Sequence, residues 1–325
     1  MDTHASRANT LRSKVTQKFK DIVEPPDEGV YIYCRRMVTI LAHVQPLKDE
    51  PIQAIASGFV ISLNGKQWLV TAGHVAHALQ EVQKAGRRLQ VMICDAWKAE
   101  NGLGVPIQLP LDRIPNWIIL GDETSYDVAI LDLGANLSAL LQKGLIKPVP
   151  ETAWRQKPNK NFDAYILLGT PNEMTDNNGE SHKFVGGAKV VLPPTKYNLR
   201  RGAFSIKEIS RPAQAVKTSH PRFYAKLLDM EDAVRFVELP EGPLVDEIKG
   251  VSGGPILGRI QEDDGKYSYH TIAVQSCWLK EEKAITADYL YLLPQKLKAA
   301  GHQVSESRAQ KFGRKIHNIR DSSAA

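Results

Sequence analysis

Lys249-Gly250-Val251-Ser252-Gly253-Gly254-Pro255-Ile256 is the stretch that decides the reading of this 325-residue chain. Glycines on both sides of a serine permit backbone angles barred to other residues, so two N–H groups can point at one spot beside the hydroxyl. Such a spot suits an anionic oxygen. A plain glycine-rich turn would also use these glycines, but Ser-Gly-Gly-Pro leading straight into Ile256-Leu257 is a more particular arrangement. Two further segments carry the groups a serine hydroxyl needs. In Trp68-Leu69-Val70-Thr71-Ala72-Gly73-His74-Val75 an apolar strand ends in two small residues and leaves an imidazole at its mouth; His77 would serve as well. In Ser125-Tyr126-Asp127-Val128-Ala129-Ile130-Leu131-Asp132-Leu133 an acid opens a strongly apolar strand. Burying that acid is costly without partners, so it either caps loop N–H groups or holds a group such as an imidazolium. Asp132, at an odd spacing, points to the opposite strand face. A serine hydroxyl is a poor nucleophile near neutral pH until a base takes its proton, and histidine titrates in the right range.

Around these segments the pattern is of short β-branched runs, at 31–44, 52–63, 67–71, 89–94, 127–133, 164–168 and 271–278. Asn64-Gly65, between SGFVISL and KQWLVTA, predicts a two-residue type I′ hairpin. Helical patterns are few: the N-terminal segment before the breaker Glu24-Pro25-Pro26-Asp27, a stretch after His74, and another near 294–300. An all-β core with peripheral helices follows. The apolar fraction of 42% and the absence of repeats exclude a stapled miniprotein, a coiled coil and a wholly disordered chain. Cys34, Cys94 and Cys277 are too few, and odd in number, for a disulfide framework, which points to a reducing compartment. The N-terminus lacks the apolar core of a signal peptide and no long apolar span occurs, so the expectation is a cytoplasmic protein without membrane association. No His/Cys/Asp/Glu set has ligand spacing, and Gly186-Gly187 lacks the lysine of a phosphate loop, so neither metal nor cofactor is expected.

The formal charge of +6 is unevenly placed. Residues 181–226 hold ten Lys/Arg against the single acid Glu208, whereas 227–247 hold seven acids against Arg235. Either the two blocks are solvated neighbours that partly neutralise each other, or the basic one contacts nucleic acid or an acidic partner. The last 25 residues are polar and carry five Lys/Arg, and both chain ends read as appendages.

Together the three segments resemble those of the trypsin-like (chymotrypsin-fold) serine peptidases, whose marks are Thr-Ala-Ala-His, Asp-Ile-Ala-Leu and Gly-Asp-Ser-Gly-Gly-Pro. Here they stand as Thr71-Ala72-Gly73-His74, Asp127-Val128-Ala129-Ile130 and Gly250-Val251-Ser252-Gly253-Gly254-Pro255. The order His, Asp, Ser separates this family from the subtilisin-like and α/β-hydrolase chains. The resemblance implies two six-stranded antiparallel Greek-key β-barrels with a cleft between them. The first, at 29–152, would carry the histidine and aspartate, and the second, at 153–300, the serine and a charged insertion. A helical extension at 1–28 and a basic tail at 301–325 would flank them. It also implies a serine endopeptidase, closest in type to intracellular bacterial members, acting on protein or peptide substrates through an acyl-enzyme. Ser252 would be the nucleophile, His74 the general base and then acid, Asp127 the group fixing the imidazole tautomer, and Gly250 and Ser252 the oxyanion N–H donors.

The chain departs from the family pattern in places. Val251 stands where secreted, zymogen-activated members have an aspartate that pairs with a new N-terminus, so oxyanion-site formation by such cleavage is not expected. Asp246, six residues before Ser252, falls where trypsin-type members bind a basic side chain, though it reads more readily as an exposed loop acid. Gln275, Ser276 and Cys277 match the segment that forms a pocket wall and pairs with substrate backbone; Cys277 also reads as a buried apolar residue. The interval from Asp127 to Ser252 is long, and its charged blocks are candidates for substrate selection or for a regulatory protein partner. The competing reading is a binding protein on a peptidase scaffold, gripping nucleic acid or an acidic partner through 181–226, which the complete triad weighs against.

Overall fold

The computed structural model describes residues 36–45, 52–95, 103–109, 116–134, 148–157, 161–171, 175–176, 181–185, 188–192, 197–199, 202–228 and 248–302. The expected N-terminal helix, Asp246, nearly all of the acidic block and almost the whole C-terminal tail lie outside them. The strands of the first half are β1 (Met37–Gln45), β2 (Ile52–Leu63), β3 (Lys66–Thr71), β4 (Arg88–Asp95), β5 (Leu103–Leu109), β6 (Ile118–Ile119) and β7 (Ala129–Asp132). Then come β8 (Ala164–Gly169), β9 (Thr175–Asp176), β10 (Ser181–Val185), β11 (Ala188–Leu192), β12 (Tyr197–Leu199), β13 (Gly202–Glu208) and β14 (Arg222–Leu227). The last are β15 (Pro255–Gln261), β16 (Tyr267–Leu279) and β17 (Ala284–Tyr289), with helices α1 (Gly73–Lys84) and α2 (Leu293–Ala299).

The first half forms a sheet ordered β6-β7-β3-β2-β1-β4-β5, and the second closes as the barrel β13-β14-β17-β16-β15-β8. Apart from the two-residue β6, each half is built on six antiparallel strands. Numbered in chain order within its half, each set follows the spatial order 5-4-1-2-3-6. Placing the fourth strand beside the first after a three-strand meander is the Greek key. The fold is therefore the expected one: mainly β, two six-stranded antiparallel barrel-like sheets with few helices. In the second half β16 also pairs with β17 and closes the ring. In the first, the outer edge of β5 is taken by β12 and then β9, short strands from the long interval between the two halves. β10 and β11 form a separate two-stranded sheet. Among the described residues no helix is long and apolar enough to cross a membrane.

Local chemistry accounts for much of this. Asn64 and Gly65 take φ of 55° and 75°, the left-handed pair a type I′ turn requires, and set the register Leu63 to Lys66 between β2 and β3. On β2, Phe59, Ile61 and Leu63 enter a cluster that also holds Ile166, Leu168, Leu257 and Val274 of the second half, while Ala56 and Val60 enter the core of the first sheet with Ala76 and Leu79 of α1. Burial on both faces explains why β2 reads as a nearly unbroken apolar run. A third cluster, with Phe204, Phe223, Val251 and Ile285, fills the second barrel.

The halves are stitched at Ser57 on β2. Its hydroxyl donates to the Gly250 carbonyl at 2.8 Å and accepts the Thr170 N–H at 2.9 Å, and its own N–H donates to the Ser252 carbonyl at 2.9 Å. Ser57→Ala leaves a buried carbonyl and a buried N–H unpaired. It should lower stability by about 2 kcal/mol, read as a lower urea midpoint with an unchanged slope.

Candidate active site

α1 begins without a cap of its own: Ala72 is its N-cap, no side chain caps it, and no acid lies in its first turn. The missing acceptor comes from Asp127, 53 residues away, whose Oδ1 accepts the His74 N–H at 2.7 Å. A helix start carries partial positive charge as well as unpaired N–H groups, so it stabilises this anion. The other oxygen, Oδ2, lies 2.7 Å from His74 Nδ1. Asp127 is wholly buried just before β7, at the centre of a tight turn in which the Val128 N–H donates to the Tyr126 carbonyl at 2.8 Å. Gly73 is required here: a Cβ on it would come within 2.2 Å of the Gly121 carbonyl oxygen and 2.8 Å of Asp127 Oδ1. His77 sits on the exposed face of α1, and Asp132 faces outward in an ion pair with Lys66 at 3.0 Å.

Ser276, read from the sequence as pocket wall, is buried, and its hydroxyl donates to Asp127 Oδ2 at 2.6 Å. The cause is a bulge. Gln275 pairs with Ala287 and Cys277 with Thr286, so Ser276 is an extra residue on β16 and turns inward like its neighbour. Gln275 is buried too, and Cys277 alone of the three is part-exposed. Burial, with the nearby Glu123 carboxylate, pushes the Cys277 thiol above its ordinary value.

Burial pulls the His74 imidazole down, but the hydrogen bond and charge of Asp127, with the Glu123 carboxylate at 3.8 Å, outweigh it and leave His74 raised. Burial would push Asp127 up, yet its bonds from His74 and Ser276 hold it below the usual carboxylate value.

Ser252 lies between Gly250 and Gly253, at φ of 90° and 87°, conformations that glycine adopts without strain. The turn packs directly on the start of α1: a Cβ on Gly253 would meet Thr71 Oγ1 and the Ser57 carbonyl oxygen at 2.2 Å and the Ala72 nitrogen at 2.9 Å. One on Gly254 would meet the Leu168 carbonyl oxygen at 2.1 Å. Within the turn the N–H groups of Val251, Gly253 and Gly254 donate to Ile248, Gln275 and Val251 carbonyls at 3.1, 2.9 and 2.8 Å. The alternate amides, of Gly250 and Ser252, have no acceptor among the described residues. The Ser252 hydroxyl is part-exposed and hydrogen-bonds to none of the described residues, His74 included. Val251 is buried in the second barrel against Gly169.

Sequence reasoning also missed Asp288, Arg222 and His220, which lie behind Asp127. Asp288 could have been suspected on the same ground as Asp127, as an acid within the apolar strand AITADY. Arg222 belongs in sequence to the basic block but is 7% exposed. Among the described residues no group of three or more His, Cys, Asp or Glu could hold a metal ion.

No protein-family model and no curated protein matches the chain. Among solved structures, it is similar to a thermostable serine protease, AL20, from an extremophilic microorganism, at 12% identity and a TM-score of 0.41 over 83% of this chain and 98% of that one. It is also similar to Deg5, at 16% identity and 0.41 over 84% and 94% of the two chains. A third is the protease Anisep from Arthrobacter nicotinovorans, at 12% and 0.39 over 82% and 95%.

Because folding raises His74, the imidazolium contributes stability that is complete below its ordinary 6.5 and is lost as the pH rises through the raised value. Asp127 is lowered, so its contribution is present above its ordinary 3.8 and is lost as the pH falls through the lowered value. The destabilisation caused by Asp127→Asn, measured by urea unfolding, should therefore be larger near about pH 5 than near about pH 8.

Proposed function

We propose that this chain is a serine endopeptidase in which Ser252 attacks the scissile carbonyl, His74 moves the proton and Asp127 holds the imidazole. The observation that carries the reading is the His74–Asp127 couple, closed at 2.7 Å through Nδ1 on a helix start against which the Ser252–Gly253 turn is packed. With a hydrogen held on Nδ1 by the carboxylate, Nε2 keeps its lone pair. Nε2 takes the Ser252 proton as Oγ bonds to the carbonyl carbon, and the carbonyl oxygen becomes an anion beside the unpaired amides of Gly250 and Ser252. Each such donor is worth about 3 kcal/mol in the transition state. The C–N bond then breaks as the imidazolium gives its proton to the departing nitrogen. Water, deprotonated by the same ring nitrogen, hydrolyses the ester and restores Ser252.

The edge of β16 supports a reading with protein or peptide substrates. Beyond Gln275 the β15 side of β16 has no strand partner among the described residues, so an extended chain can pair there beside Cys277. The buried Val251 supports a type that builds its oxyanion site by packing, without N-terminal cleavage. The nucleic-acid reading of 181–226 loses one of its cations, since Arg222 is turned inward.

A fluorophosphonate probe should label the wild type at Ser252 and leave Ser252→Ala unlabelled. Asp127→Asn should lower kcat by about 10³- to 10⁴-fold on a cleaved peptide. A wild-type protein that neither takes the label nor cleaves a peptide library would rule the reading out.

A further inference from the structure

Behind His74 and Asp127 lies a second buried set of charged groups that the proposed chemistry does not use. Asp288 on β17 is wholly buried and both its oxygens are engaged: Oδ1 with His220 Nε2 at 2.7 Å, Oδ2 with Arg222 Nη2 at 2.8 Å and with the Asp127 N–H at 3.1 Å. Arg222 lies directly across the β14–β17 ladder from Asp288. Its Nη1 donates to the Glu123 carbonyl at 2.8 Å, and its Nη2 also donates to Ser276 Oγ at 2.7 Å. A guanidinium only donates and an ionised carboxylate only accepts. The single hydrogen of Ser276 is therefore pinned: it points to Asp127 while the oxygen accepts from Arg222. His220 seals the set by packing edge-on against the Tyr126 ring at 5.4 Å.

Two carboxylates, Asp127 and Asp288, are thus buried as close neighbours, and Arg222 is the one permanent cation among the described residues bonded to either. A buried carboxylate without a counter-charge of its own acts on every titratable group beside it. We propose that Arg222 is a positioning residue for the His74–Asp127 couple: by neutralising Asp288 and orienting the Ser276 hydroxyl, it leaves Asp127 as the one uncompensated buried anion acting on His74. Four elements supply the groups involved: Asp288 from β17; His220 and Arg222 at β14; Ser276 and Cys277 from β16; Glu123, Tyr126 and Asp127 from the loop before β7. The consequence for catalysis rests on the peptidase reading, but the electrostatic arrangement does not.

The test follows the His74 titration by NMR of histidine-labelled protein, with His220 resolved in the same spectra, beside pH profiles of kcat. Arg222→Met exposes His74 to a second anion and should raise its midpoint by about one pH unit. Asp288→Asn keeps the shape, leaves Arg222 without its anion, and should lower the midpoint by about as much. The double variant should return to the wild-type midpoint, and Arg222→Lys should stay near it. In Arg222→Met the acid limb of kcat moves up with the midpoint, so kcat near pH 6 falls about tenfold while KM changes less than about twofold. A purely structural role would not give opposite shifts that cancel in the double variant. If Arg222→Met does not fold, Asp288→Asn decides alone. A midpoint that Asp288→Asn leaves unchanged or raises overturns the proposal, as does a double variant displaced from wild type. The titration needs no substrate, so its result stands even for a protein that proves inactive, and a labelled, active wild type with unmoved midpoints sinks only this inference.

Discussion

A carboxylate with no solvent exposure is the constraint around which this molecule is organised. An ionised Asp127 inside the protein is tolerable only if donors surround it, because its hydration is lost on burial. Those donors come from both halves of the chain: the backbone and ring of His74 from the first, the hydroxyl of Ser276 from the second. Neither half alone can hold the charge in this way. Docking of the two sheets and assembly of the site are therefore one event, and a change that loosens the seam reaches the imidazole directly.

The shared strand order explains where that seam falls. With both halves arranged as 5-4-1-2-3-6, the third and sixth strands are neighbours in each. In the first half the end of β3 and the start of β7 therefore lie together, with Thr71 paired to Ala129, and this brings His74 and Asp127 side by side. In the second half the turn before β15 carries Ser252 to the same seam. The approach is so close that a side chain at Gly253 would run into Ser57 and Thr71 of the first half, while one at Gly254 would run into Leu168 of its own barrel. Gly253 thus serves two demands at once, backbone angle for the turn and clearance for the opposite sheet.

What was legible in the sequence was local. Asn64-Gly65 specified its turn through backbone angles, and Ser-Gly-Gly-Pro, the histidine after the small residues and the acid before an apolar run each carried its chemistry within a few positions. What was not legible depends on register between distant strands. Alternation along β16 places Gln275 and Ser276 on opposite faces, and only the bulge against β17 turns both inward. Arg222 looked like one more cation in a basic block because its partner, Asp288, lies 66 residues further on. β9 and β12 belong in sequence to the interval before the second barrel's main strands, yet they complete the edge of the first sheet, a pairing their two- and three-residue lengths could not announce.

Val251 shows how the same turn can be held by a different force. A carboxylate buried at this position would need a cation to compensate it. Val251 needs none: it is buried among Leu167, Ile248 and Ile256, and its methyl groups fill the space that Gly169 leaves by lacking a Cβ. Apolar burial of this kind stabilises by about 1.5–3 kcal/mol for such a side chain and is present as soon as the barrel forms. With the Ser57 hydroxyl holding the Gly250 carbonyl from the opposite sheet, the turn is fixed from both sides. The amides of Gly250 and Ser252, which have no acceptor among the described residues, are then left open by the fold of the chain itself.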